Sequence, residues 1–164
     1  MEKIQEKIEL LEKIAHRLNE AQAVWALGGS MMLYFNGIVS DFHDIDLMVS
    51  EHDGETARAI LSEMGEMCPP KANPDPIYRT KLFMEFAVEG IDVDVMAGFS
   101  IERDGKLFDC SLYPEQIVEN MNLGTERIPM QSPQLWCKYY RLMGREEKAA
   151  MVENALREST ASDG

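Results

Sequence analysis

Basic residues are scarce in this sequence relative to acids: 16 Lys and Arg stand against 29 Asp and Glu, a net charge of −13 over 164 residues. A field of that sign opposes nonspecific attraction to a polyphosphate backbone, which excludes a general DNA- or RNA-coating role. It does not oppose a small anion that arrives as its metal complex and is held by a few local cations. Cysteine is scarce too. Cys68, Cys110 and Cys137 lie far apart with no CxxC pair, which fits neither a disulfide framework nor a zinc site, so they read as reduced packing residues. Long apolar runs are missing: no stretch approaches the roughly 20 residues of a membrane helix. The first twenty residues, MEKIQEKIELLEKIAHRLNE, are charged throughout, unlike a secretory signal. A cytoplasmic location with no membrane partner is the resulting expectation, and neither an internal repeat nor a low-complexity segment is present.

What remains is a composition suited to one folded domain, with 45% hydrophobic and 27% charged residues. The expected organisation is a single domain over 1–158 and a frayed tail over 159–164. Ile4, Ile8, Leu11, Ile14 and Leu18 recur at steps of three and four, predicting an amphipathic helix over 3–20. The apolar run 23–27 predicts a buried strand stopped by the turn Gly28-Gly29-Ser30, after which Ser30 would cap a helix over 30–36. Ile45, Leu47 and Val49 alternate with Asp44, Asp46 and Met48, the period of a strand with both carboxylates on one side. A helix over 53–64 leads into CPPKANPDP, whose four prolines exclude regular structure. Residues 81–88 and 91–97 form two β-rich runs around Glu89-Gly90, a two-residue hairpin signal. From Pro114 onward helices are predicted over 114–120, 133–143 and 145–157, with an extended piece at 127–130. The class is α+β, a mixed sheet flanked by helices with a helical C-terminal subregion.

The chemistry lies in the order of these pieces. A glycine turn at Gly28 and Gly29 lets backbone approach a phosphate, a following helix start offers free amides, and Ser30 adds a hydroxyl. Asp44 and Asp46, two apart on one strand, point the same way and can share hard cations such as Mg²⁺. A third acid on a neighbouring strand, Asp92 or Asp94, completes the cage. Two ions roughly 3.5 to 4 Å apart suit an attack by a hydroxyl and the departure of pyrophosphate. Without metal, three clustered acids repel, which makes them costly as mere structure.

Leu27-Gly28-Gly29-Ser30, thirteen intervening residues, Asp44-Ile45-Asp46 and a distant strand Asp together resemble the nucleotidyltransferase (DNA polymerase β-like) superfamily. The nearest resemblance is to small bacterial proteins similar to aminoglycoside and lincosamide nucleotidyltransferases. Ser132-Pro133-Gln134-Leu135-Trp136-Cys137-Lys138, followed by Gly144-Arg145, extends it, so that it spans about residues 20–157. The resemblance implies a minimal nucleotidyltransferase fold that moves a nucleoside monophosphate from a nucleoside triphosphate, ATP being the expected one, to a hydroxyl acceptor. Carried over by position, Gly29 and Ser30 hold phosphate, Asp44 and Asp46 bind two Mg²⁺ ions, and Asp94, with Asp92 as its competitor, is the third acid and general base. Lys138 meets the triphosphate, with Arg145 the weaker candidate. Where many relatives continue with Lys-Asp, this chain reads Arg145-Glu146-Glu147-Lys148-Ala149, so an acid on the acceptor side is absent or displaced.

Blander readings stand beside these. Acids alternating along strands decorate solvated sheet faces, His43 reads as a surface residue, and Trp25 and Trp136 read as core, while Tyr139 or Tyr140 is free to stack on a base. The rival functions are a catalytically inactive module of the same fold for nucleotide sensing or partner binding, a toxin- or antitoxin-type nucleotidyltransferase, and a nucleotide-sugar glycosyltransferase. The last leaves the glycine turn unexplained. A homodimer that completes the acceptor cleft is a further expectation for so short a chain.

Overall fold

The computed structural model describes residues 2–163, with side chains from Lys3 to Ser159. Helix α1 (Glu2–Glu20) buries Leu11, Ile14 and Leu18 completely, as its apolar stripe requires, and leads into β1 (Trp25–Gly28). Helix α2 (Gly29–Phe35) follows with no intervening loop, then β2 (Ile45–Val49), α3 (Gly54–Met64) and the short β3 (Glu66–Met67). Strands β4 (Leu82–Val88) and β5 (Ile91–Ala97) form the expected hairpin, in which Glu89 and Gly90 both take left-handed backbone. Next come β6 (Ser100–Arg103), β7 (Lys106–Asp109), β8 (Glu119–Leu123), β9 (Glu126–Met130), α4 (Pro133–Leu142) and α5 (Glu146–Asp163).

Seven strands make one mixed sheet in the order β3-β4-β5-β2-β1-β9-β8, in which β2–β5 and β1–β9 are parallel pairs and the others antiparallel; β6 and β7 pair separately. The sheet's two faces differ in chemistry. Ile45, Leu47, Val49, Val93, Val95 and Ala97 are buried on one face, where Gly54 of α3 sits against Ala97. Pleating turns Asp46, Met48, Asp94 and Met96 to the other face, where α4 brings Trp136 against Gly28. The polar stripe on an otherwise buried sheet locates the site.

Several expectations need correction. Residues 114–120 are not a helix: a 3₁₀ turn at Pro114–Gln116 gives way to β8, which pairs with β9 through a turn at left-handed Gly124. Strand pairing here satisfies backbone groups along five residues of β8, whereas a seven-residue helix starting from Pro114 would be marginal by itself. The β6–β7 hairpin and β3 are additional strands. Ser30 is not a helix cap; Gly28 occupies that position with no side-chain bond, and Ser30 lies inside α2. Helix α5 continues to Asp163 through residues expected as a tail, while Gly164 lies outside the described residues. Among the described residues, no helix is long and apolar enough to cross a membrane.

Candidate active site

Parallel pairing of β2 with β5 sets Asp46 directly beside Asp94, and Asp44 precedes β2 on the same side. One carboxylate oxygen from each of Asp44, Asp46 and Asp94 lies within 4.8 Å of the others. Crowding of like charges away from water perturbs Asp46 and Asp94 in one direction. Burial, then the neighbouring Asp44, pushes Asp46 up to about 7, against the pull of Lys148 and Arg145. Burial, followed by Asp46 and Asp44, pushes Asp94 up to about 8, with smaller contributions from Glu85 and Asp92. Asp44 Oδ1 is buried and accepts no hydrogen bond; His43 Nε2 stands 3.4 Å away. An orphaned carboxylate oxygen beside two carboxyls held toward their neutral form is a donor set that fits Mg²⁺, which takes oxygen ligands and supplies the missing positive charge.

The choice between Asp92 and Asp94 is geometric. Asp94 joins Asp44 and Asp46, whereas Asp92 lies farther out and groups with Asp44 and His43, whose Nε2 is 3.4 Å from Asp92 Oδ2. Glu85 pairs with Asp94 across β4–β5 and extends the acidic surface; its position on the same face follows from strand alternation once the hairpin register is known.

Both glycines of the turn are required by close approach. A Cβ on Gly28 would lie 2.5 Å from the Trp136 ring, and one on Gly29 would lie 1.9 Å from Asp46 Oδ2. Gly29 also has φ +63°, in the left-handed region. The turn therefore lies directly against the carboxylate cluster. Ser30 accepts a 2.5 Å hydrogen bond from Lys148 Nζ. Arg145, just before α5, and Lys148, within it, both stand over the Tyr140 ring, at 5.2 and 5.1 Å from its centre. Burial, then Arg145, lowers the Lys148 pKa, while Asp46 and Asp44 oppose that shift.

Lys138 is not brought to this cluster. It is exposed on α4, and its charge acts on the Cys110 thiol instead. Lys148 of α5 lies at the cluster instead. Its signal in the sequence is the three-residue step from Arg145, which brings the two cations about one turn apart where α5 begins. Tyr139 and Tyr140 are buried, at 3% and 2% exposure, so neither ring offers a free face to a base. Trp136 is core, anchored by Nε1 donating to Gln131 Oε1 at 2.7 Å, and His43 is exposed.

The fold recurs in solved structures. A provisionally assigned nucleotidyltransferase from Thermotoga maritima superposes with a TM-score of 0.73 at 24% identity, covering 94% of each chain. The fold is that of the nucleotidyltransferases. The aminoglycoside nucleotidyltransferase ANT(2″)-Ia, solved with adenylyl-2″-tobramycin, shares the nucleotidyltransferase fold with a TM-score of 0.59 at 12% identity, over 92% of this chain and 89% of that one. A solution structure of the same antibiotic-resistance factor gives 0.56 at 16% identity, over 96% and 95%. At these identities the likeness is one of fold. A family profile described as "Far upstream element-binding protein, C-terminal" matches residues 133–158, which make up α4 and most of α5. Among curated proteins, no sequence matches this one significantly.

Proposed function

We propose that this protein is a Mg²⁺-dependent nucleotidyltransferase that passes a nucleoside monophosphate from a nucleoside triphosphate, with ATP the first candidate, to a hydroxyl acceptor. The observation that carries this reading is the convergence of Asp44, Asp46 and Asp94 within 4.8 Å, directly against the Gly29 backbone. Asp44, Asp46 and Asp94 would hold the metal, which when bound neutralises the carboxylates and the developing charge on the phosphates. The Gly28–Gly29 turn, packed against Trp136 and Asp46, would present its backbone to the phosphate chain, and Ser30, Lys148 and Arg145 would supply donors and positive charge opposite the acids. Asp94, whose carboxyl is pushed up to about 8 in the metal-free site, would take the acceptor hydroxyl's proton once its own has been lost on metal binding. The acceptor oxygen then bonds to the α-phosphorus, the bond from that phosphorus to the bridging oxygen breaks, and pyrophosphate leaves.

Two measurements test this. Thermal unfolding with ATP, GTP, CTP and UTP, each with and without Mg²⁺, should show a metal-dependent rise with at least one nucleotide. A ligand at about 100 times its Kd adds roughly 2.7 kcal/mol, several degrees for a chain of this size. Hydroxyl compounds incubated with the binding nucleotide should then gain the mass of a nucleoside monophosphate as pyrophosphate accumulates. Absence of any nucleotide effect would overturn the reading in favour of a catalytically inactive module.

A further inference from the structure

The site as described holds phosphates and metal but leaves the nucleobase without a partner, because Tyr139 and Tyr140 are buried. An exposed aromatic side chain does lead to the same place. Tyr78 is 42% exposed at the end of the proline-rich loop, held in place by a β-bridge to Ile101 of β6. Its ring stacks on Phe99, 6.5 Å between centres and 20° between planes, and Phe99 stacks in turn on Trp136, at 6.3 Å and 19°. Trp136 is the residue pressed against Gly28, and it packs at 5.5 Å on Tyr140, the ring under Arg145 and Lys148. A continuous aromatic ladder thus runs from the phosphate turn to the surface, with Tyr78 as its exposed rung.

Charges of both signs reach that rung. Burial, then Asp75, raises the pKa of the Tyr78 hydroxyl, while Arg145, which also acts on Asp46, opposes that shift. Arg103 acts on Tyr78 as well, and its Nε donates to the Leu142 carbonyl at 2.9 Å, which ties the β6–β7 hairpin to the turn that carries Arg145. A planar ring with one face on Phe99 and 42% exposure, at the outer end of a ladder that starts at the phosphate turn, suits a base whose π-face stacks.

We infer that Tyr78 is the nucleobase platform of this protein, stacking the base of the triphosphate whose phosphates lie against Ser30, Lys148 and Arg145. The inference rests on the nucleotidyltransferase reading and names the residue that distinguishes a nucleotide from a bare polyphosphate at that site. Tyr78 acts here in binding alone and touches no reacting atom.

The test is calorimetric titration of wild type, Tyr78→Ala and Tyr78→Phe with Mg-ATP and, separately, with Mg-tripolyphosphate, which has the phosphate chain and no base. Removal of an aromatic stacking partner weakens binding by about 5- to 150-fold. We expect Tyr78→Ala to lose that factor for ATP and to bind tripolyphosphate as wild type does, while Tyr78→Phe binds both normally. Melting temperatures of the variants check that they fold. Equal ATP affinity in wild type and Tyr78→Ala would overturn the platform and leave the phosphate site standing. Equal loss for both ligands would assign Tyr78 a structural role and also overturn it. Failure of wild type to bind either ligand would overturn the underlying reading and the platform together.

Discussion

Gly29 is the residue with the least freedom in the molecule's active region. Its left-handed backbone would cost an alanine about 1–2 kcal/mol, and the added methyl would collide with Asp46 Oδ2. Gly29→Ala should therefore lower the melting temperature by at least about 2–8 °C and abolish Mg-nucleotide binding, both readable in one thermal titration. Asp46 behaves in the opposite sense. It is a half-buried carboxylate with an acidic neighbour, so Asp46→Asn removes repulsion and should raise the metal-free melting temperature at pH 8 while abolishing turnover. The pairing of lost activity with gained stability separates a metal ligand from a structural acid. At this scale the sequence was informative where spacing decided the outcome. Asp44 and Asp46 two apart on a strand had to share a face. Asp94 over Asp92 needed the β2–β5 register, which no local pattern encodes.

Among the elements, α4 and α5 decide which lysine lies beside the carboxylate cluster. Lys138 lies on the exposed side of α4, whereas α5 carries Lys148 onto Ser30 and Tyr140. Steady-state kinetics should show Lys148→Met raising KM for the nucleoside triphosphate by roughly 10-fold or more, the scale of a lost charge-assisted contact, and Lys138→Met leaving it unchanged. The reverse pattern would put the phosphate chain on the other side of α4. Most elements were legible in the pattern of the chain: α1, β2, the β4–β5 hairpin, α4 and the irregular proline-rich loop all follow from period or turn chemistry. The β6–β7 hairpin was equally available, since Asp104-Gly105 is a two-residue turn signal and both residues take left-handed backbone. Strand β8 was not, because ENMNL has no β-branched residue and only Met121 and Leu123 to alternate with its polar positions, and it is held as a strand by its partner β9.

For the molecule as a whole, the half-buried, clustered acids set how stability responds to pH. Unfolded Asp46 and Asp94 titrate near 3.8, while in the folded chain they titrate near 7 and 8. Between those limits the unfolded chain has released protons that the folded chain still holds, so metal-free stability should fall as pH rises from about 4 to about 8. His16, raised chiefly by its hydrogen bond to Glu126, adds loss of the same sign above its ordinary 6.5. Asp109 and Glu153, both lowered by their partners, act oppositely, but only as pH falls below the usual carboxylate range. Mg²⁺ should flatten the part of the slope due to the acids and leave the part due to His16. Melting curves across pH 4 to 9, with and without Mg²⁺, check this; identical curves would mean that no cation enters the cluster. The net charge of −13 conceals this arrangement, because the cations that matter are few and local. Composition weighed against nonspecific nucleic-acid binding without revealing where Arg145 and Lys148 converge.

The most direct test of the central claim is a calorimetric titration of Mg-ATP into wild type and Asp46→Asn at matched pH and salt. The carboxamide keeps the shape of the side chain and removes its charge, so the fold should persist while nucleotide affinity falls by at least about 100-fold, the upper end of losses seen for groups that merely support a metal ligand. Saturable binding in wild type that disappears in the variant is the expected result. Equal affinity in both proteins, with both folded, would contradict a metal-nucleotide site built on Asp44, Asp46 and Asp94.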